Sequence, residues 1–470
     1  MPEPETPLAE GSGAGGVLRP VLGLTTAAAV VVGAVIGSGV FLAPRTVVEN
    51  VGGALGLILI LWIGCGLINL CGALTLAELA AMFPHAGGTY VYLREAYGRT
   101  CAFTWAWAEF WVMRSGSIAA LAVAMTLSLL ALLDLGGYEL TEQEKSWLQK
   151  SVAIGAIAVL TGINILGAKW GGAVQTVTTA IKVLFVAFLA VLPFLALRDV
   201  DLSNTPLWPT ESSWQLLTGI GGALALIMFA YDGWGNVTVV AEEIRNPQRN
   251  LPLALGGGVL LLIVLYTGAN LAYHVTLTPD EIKEAVVPAV TAAERLLPNV
   301  GAKLTLSMMM VSVFGALNAN ILAGPRVVFA ASRDVQALKF FRRIDPRFGT
   351  PAVAIAVVST WSVVLILLGD LTPDPEKPLY EILVDYVIFG GSVFYLMAVV
   401  AVFVFRRRLP DAARPYRTWG YPIVPGLFVA FYLFLLATMA WSNPLESAVA
   451  LAVMASGAGV YFVLKVLKRA

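Results

Sequence analysis

The sequence predicts an all-α membrane protein with twelve spanning helices. Ten of these form two five-helix units of inverted topology, whose first helices (spans 1 and 6) are broken. Three observations lead there. Apolar residues come in runs of about twenty or more, on a chain of 470 residues that is 58% hydrophobic and only 13% charged, with a mean hydropathy of +0.80. A soluble chain carries about 25% charged residues, so this one has too few to cover a water-exposed surface. Lysine and arginine crowd into alternate loops. Glycine clusters interrupt two of the apolar runs, about 196 residues apart, at Gly37 and Gly233.

Taken in order, residues 1–20 are rich in Gly, Pro and Glu and end in Arg19-Pro20. Glu3, Glu5 and Glu10 contradict the basic start of a secretory signal, so this stretch reads as a disordered cytoplasmic tail. Residues 21–470 then form one twelve-helix domain. A spanning helix needs about 20 apolar residues. The first repeat, about 21–200, holds runs near 24–44, 53–81, 98–133, 148–166 and 173–197. The second, about 210–405, holds runs near 214–243, 252–276, 302–332, 351–369 and 380–405. Two extra helices occupy 422–441 and 446–466. An even number of spans puts both ends on one side. Nineteen loop lysines and arginines fall on that side and eight on the other, so the positive-inside rule makes both termini cytoplasmic.

The broken spans read Val32-Gly33-Ala34-Val35-Ile36-Gly37-Ser38-Gly39-Val40-Phe41 and Phe229-Ala230-Tyr231-Asp232-Gly233-Trp234-Gly235-Asn236. A glycine inside a helix costs about 1 kcal/mol relative to alanine, which makes local unwinding cheap at Gly-Ser-Gly. Backbone groups freed in lipid must find partners, so an unwound span lines a cavity or holds a ligand. Close helix packing through small residues is the plainer explanation of any single glycine. Two breaks at matching places of two repeats favour a mid-membrane binding site.

At these residues the chain resembles the amino acid–polyamine–organocation superfamily and, within it, the L-type amino acid transporter family. The similarity runs over about residues 20–440. Gly37-Ser38-Gly39 with Phe41 matches the substrate motif of the first helix. Ala77-Glu78-Leu79 followed by Pro84, Gly87-Gly88, Tyr90, Tyr92 and Gly98 matches the exit of the second. The most specific stretch is Phe229 to Trp234 with Glu242-Glu243 and Asn246-Pro247 through Pro252. Phe314-Gly315 with Asn318, and Arg414-Pro415-Tyr416 ahead of Tyr421-Pro422, add to it.

The resemblance implies a LeuT-type fold and movement of amino acids, often by obligatory exchange and without sodium. A proton-coupled or uniport carrier of amino acids or polyamines is the alternative. An amino acid zwitterion needs donors for its carboxylate and acceptors for its ammonium. The first break offers amides near Gly37, Ser38 and Gly39 at the positive end of one half-helix, and carbonyls near Val35 and Ile36 at the negative end of the other. Carbonyls around Phe229, Ala230 and Tyr231 complete the ammonium cage, and Phe229 matches the family's aromatic gate.

Ionisable residues inside a membrane are functional candidates by default. Lys182, about eight residues into the predicted fifth helix, lies too deep to reach the headgroups easily. The resemblance places its ammonium where sodium-coupled relatives hold a cation, tying the first helix to the eighth with Ser312 as partner. Asp232 has two readings: a carboxylate for basic substrates, or a cap for the second half of the sixth helix. Glu109, Arg114 and Asp385 are expected in interhelical pairs. Glu78, Glu242, Glu243, Arg245 and Arg249 are expected at cytoplasmic helix ends, as an inner gate or a solvated rim.

Several function classes are excluded. The net charge is zero, which gives no case for nucleic acid. Cys65, Cys71 and Cys101 sit in or beside apolar runs, and His85 and His274 lie far apart, so no metal site, cofactor motif or nucleophile arrangement is expected. A channel would need a continuous polar stripe, and none is present. Eukaryotic L-type members are joined to a heavy chain through a cysteine after the third helix. The stretch Asp134 to Trp147 has no cysteine, so the expected partners are amino acids and the bilayer, with no disulfide-linked heavy chain. The chain reads as a prokaryotic member of the cell membrane.

Overall fold

The computed structural model describes residues 18–197, 205–209, 214–371, 379–442 and 444–467. Most of the expected tail, and the side chain of Asp385, lie outside that set. The described residues are helical apart from turns and one isolated β-bridge between Leu22 and Ile244. Among the described residues, ten helices or helix pairs are long and apolar enough to cross a bilayer, and two shorter apolar helices, Leu216–Ala230 and Ala352–Leu367, accompany them.

The first apolar run folds as α1 (Leu24–Val35) and α2 (Gly39–Asn50), separated by Ile36 to Ser38. Then follow α3 (Leu55–Met82), the short α4 (Thr89–Tyr97) and α5 (Arg99–Ala108). A π-turn, Glu109–Met113, joins α5 to α6 (Arg114–Leu135). Next come α7 (Glu142–Ile165), which opens on a Thr141–Glu144 capping box, and α8 (Ala168–Ala196). The second broken run is α9 (Trp214–Ala230) and the single turn α10 (Asn236–Val239). It is followed by α11 (Pro247–Thr276), α12 (Pro279–Glu284), α13 (Pro288–Leu296), α14 (Gly301–Ala323), α15 (Pro325–Asp334) and α16 (Ala352–Leu367). The chain closes with α17 (Leu379–Arg408), α18 (Ile423–Ser442) and α19 (Pro444–Val466).

The main apolar core runs between α1, α3, α9 and α11, and a second core joins α6, α7, α14 and α16. Glycine sets how closely the two breaks pass. A Cβ on Gly39 would stand 2.9 Å from the Cβ of Ala230. Gly233 adopts φ +114, a conformation that only glycine takes readily, and lies against the Ala34 backbone. The broken helices therefore cross each other at their unwound points.

The π-turn has an equally local consequence. Adding one residue to a helical turn brings positions five apart onto one face. Glu109 and Arg114 are five apart, and their side chains meet in two hydrogen bonds of 2.9 and 3.1 Å. Arg114 also donates to Asn320 of α14. The expected interhelical pairing is corrected here: the carboxylate partner is on the same helix, and only the amide belongs to a neighbour.

Candidate functional site

Between the two breaks and the wall formed by α5, α6, α14 and α17 lies a cavity of about 420 Å³. Seven of the nine expected binding residues line it: Val35, Gly37, Ser38, Gly39, Phe229, Ala230 and Asp232. Ile36 and Tyr231 do not. The Ile36 carbonyl is occupied behind the break, accepting from Lys182 Nζ at 2.7 Å and from Ser312 Oγ at 3.0 Å. The Tyr231 ring packs between Trp62 and Tyr266, with centroids 6.0 and 5.0 Å away. Once α9 ends, neighbouring side chains point to opposite sides, so Asp232 enters the cavity and Tyr231 leaves it.

The backbone of the first break is divided between structure and open valence. The Gly37 amide is committed to the Val35 carbonyl at 2.8 Å, contrary to its expected role as a free donor. The Ser38 and Gly39 amides, the first donors of α2, have no backbone acceptor among the described residues. A helix N-terminus holds such donors at a positive partial charge. On the acceptor side, the Tyr266 hydroxyl donates to the carbonyls of both Val35 and Ala230 at 3.1 Å. That tyrosine ties the two breaks together and was not singled out from sequence. An isolated tyrosine in an apolar helix gives no signal of which backbone it will meet.

Lys182 is buried near the middle of α8, fourteen residues from its start, because the helix begins earlier than the apolar run suggested. Its ammonium donates to three carbonyls: Gly33 at 2.8 Å, Ile36 at 2.7 Å and Ser312 at 2.8 Å. Ser312 Oγ donates to Ile36 and Gly37 at 3.0 Å. Three carbonyl oxygens thus surround the amine, which satisfies its donors in a low-polarity interior.

Asp232 is exposed, although it sits at the heart of the array, because its exposure is to the cavity. It does not cap the following helix. α10 starts at Asn236 with Gly235 before it and no side-chain cap; the carboxylate instead accepts from the Gly233 amide of the turn and from the Tyr395 hydroxyl. Arg114, Asn236, Asn320, Trp105 and Tyr395 share the cavity wall. Of these, only Arg114 stood out in the sequence, since an arginine in an apolar run is conspicuous while the others are common.

At the face where Leu18 lies, the ends of the two broken runs and their neighbours are bonded together. Leu22 and the end of the second broken run exchange two backbone bonds, Leu22 N to Glu243 O at 2.9 Å and Arg245 N to Leu22 O at 2.8 Å. Glu243 and Arg326 form a fully buried bidentate pair at 2.9 and 3.1 Å. Glu242 receives Arg333 at 2.8 and 2.9 Å and the Ala86 amide at 3.1 Å. Glu78 accepts from Arg406 at 2.8 and 2.9 Å and from the Thr418 amide at 2.7 Å. Toward the opposite face the cavity wall includes Leu42, which is 41% exposed, and the half-buried Phe229.

Among the described residues no group of three His, Cys, Asp or Glu side chains could hold a metal. Residues 22–463 match the family described as amino acid permease. The chain is 33% identical over 452 residues to the serine/threonine exchanger SteT of Bacillus subtilis (strain 168), covering 95% of this chain and 97% of that one. It is 31% identical to the mouse b(0,+)-type amino acid transporter 1, covering 91% of this chain and 84% of the relative. It is also 31% identical to the human large neutral amino acids transporter small subunit 2, covering 96% and 82%. With the match spanning nearly all of its length, the chain belongs to the amino acid permease family of the amino acid–polyamine–organocation superfamily, whose members are transporters and not enzymes.

Proposed function

We propose that this protein exchanges amino acids across the cell membrane without sodium, by alternating access around a site between its two broken helices. The observation that carries the reading is the unwound pair itself. Donors without backbone acceptors at Ser38 and Gly39 border the same cavity as Phe229 and Ala230 of the second break, whose carbonyls supply the acceptors a zwitterion requires. In this reading the substrate carboxylate meets the start of α2, and its ammonium meets the carbonyls of Phe229 and Ala230, that of Val35 being taken by the Gly37 amide and the Tyr266 hydroxyl. Phe229 closes over it from outside. The Lys182 ammonium, with Ser312, stands where a coupling cation would otherwise be held, which removes the need for sodium.

The same proposal includes twelve spans, counting the two shorter apolar helices, in a LeuT-type five-plus-five inverted repeat with α18 and α19 added. Both termini are cytoplasmic, so the bonded face is the inner one and the conformation faces outward. The serine/threonine exchange named for the bacterial relative supports exchange and small polar substrates. Asp232, open to the cavity, extends the range to basic side chains. The partners are amino acids and lipid, with no disulfide-linked heavy chain.

The test is uptake of radiolabelled amino acids into sodium-free liposomes, either empty or loaded with unlabelled amino acids. Uptake only into loaded vesicles is expected, with serine and threonine among the competitors. Equal uptake into empty vesicles overturns exchange in favour of a uniport or proton-coupled carrier.

A further inference from the structure

We infer that the Leu18 face carries a binding site for the headgroup of an anionic glycerophospholipid, at the meeting point of α5, α19 and the 3-10 segment Gln336–Arg342. Three elements far apart in sequence converge there. Phe103 of α5 and Tyr461 of α19 are in ring contact at 5.3 Å, and Val335 completes a small buried cluster with them. Leu338 and Leu464 pack against its edge. α5 leads away from this face and α19 returns to it, so one helical turn beyond the ring contact lie Arg99 and Lys465. Residues four apart share a helix face, which puts each of these cations on the same face of its helix as the ring.

Lys339, Arg342 and Arg343 follow Leu338 and extend the same rim. All five cations are exposed, and none has an ion pair or side-chain hydrogen bond to a described carboxylate. The nearest acids are engaged elsewhere. Asp334 holds Arg94 and Tyr90, Glu95 holds Arg94, and Asp345 accepts the amides of Arg347 and Phe348.

What distinguishes this rim from a solvated basic loop is the apolar surface set into it. Phe340 is 48% exposed while its neighbour Phe341 is buried and anchors the segment against Phe110. On α19, Phe462 (67%), Val463 (55%) and Val466 (66%) are exposed beside Lys465. A ligand for this place has an anionic head to meet five cations and hydrocarbon to lie along Phe340, Phe462 and Val463. Amphipathic basic segments at a membrane surface recognise anionic lipids in this way. The long arginine and lysine stems lie along apolar surface while their heads stay at headgroup level.

The experiment uses the full chain in detergent micelles, titrated with a fluorescent phosphatidylglycerol that accepts energy from the protein's tryptophans. Saturable transfer is expected, displaced by unlabelled phosphatidylglycerol but not by phosphatidylcholine, glycerol phosphate or inorganic phosphate. Binding should weaken with salt. The paired variants R99Q/K465Q and K339Q/R342Q should each weaken binding by tenfold or more, at about fivefold per charge removed. R407Q/R417Q, in the last turn of α17 and the loop that follows it, should leave it unchanged. Equal binding by all three variants, or equal displacement by phosphatidylcholine, overturns the site. Displacement by glycerol phosphate alone would make it a site for free phosphate compounds and also overturns it. If a variant fails to fold, the competition and salt series on the unmodified chain still decide. None of these readouts depends on transport, so the inference stands or falls separately from the exchange reading.

Discussion

Removing the Lys182 side chain leaves the Gly33 carbonyl without the donor the structure gives it, Ile36 with only Ser312 Oγ, and the Ser312 carbonyl with only its partner within α14. An unsatisfied buried polar group costs about 1–3 kcal/mol, so the first break should lose its set shape. Lys182→Ala is expected to lower exchange at least tenfold while the protein stays folded, measured as counterflow in loaded liposomes alongside a thermal unfolding scan. Lys182→Arg should not rescue it, because a planar fork cannot point at the same three oxygens as an ammonium. Wild-type exchange in either variant would remove Lys182 from the mechanism. At this scale the sequence was informative where a residue was out of place, as with Lys182, Asp232 and Arg114. It was silent on Tyr266 and Tyr395, whose types are ordinary in apolar helices and whose partners depend on packing. Ile36 marks the limit from the other side: its position in the motif was legible, but the direction of its carbonyl was not.

Among the elements, the 3-10 turn after α10 and helix α15 are joined by the most deeply buried ion pair of the described residues, Glu243 with Arg326. Breaking one side of such a pair leaves an uncompensated charge and costs about 3–5 kcal/mol, while replacing both with apolar residues is often neutral. Arg326→Ala is therefore expected to lower the melting temperature sharply. Glu243→Met with Arg326→Met should restore most of it, yet raise the reactivity of a cysteine placed at Gly235 toward reagents from the Leu18 face. If the double variant stays as closed as the parent, the pair holds the fold and not the gate. Helix existence was readable because twenty-residue apolar runs have few alternatives. The fine structure was not. The π-turn at Glu109–Met113 and the start of α8 five residues before its apolar run depend on side-chain partners in other helices. The brevity of α10 follows from Gly233 and Gly235 beside it, which were visible but not decisive alone.

For the whole molecule, the proposed outward-facing reading rests on ion pairs clustered at one face and an exposed Leu42 in the cavity wall toward the other. With the three native cysteines replaced by alanine, Leu42→Cys should react with a membrane-impermeant thiol reagent added outside intact cells, and bound amino acid should slow the reaction. Labelling confined to inside-out vesicles would reverse the proposed orientation. Serine, threonine and arginine added as protectants would rank substrates at the same time.

The two backbone bonds at Leu22 bear on how such a molecule can move. They splice the strand-like entry to α1 onto the exit from α10, so the two broken helices are ganged like paired shutters on one rod. A half-open state with only one of them displaced must first sever that splice. In the proposed alternating-access cycle, opening at this face is thereby biased toward all or nothing. Whatever pulls on the chain just ahead of Leu22 pulls on both shutters together.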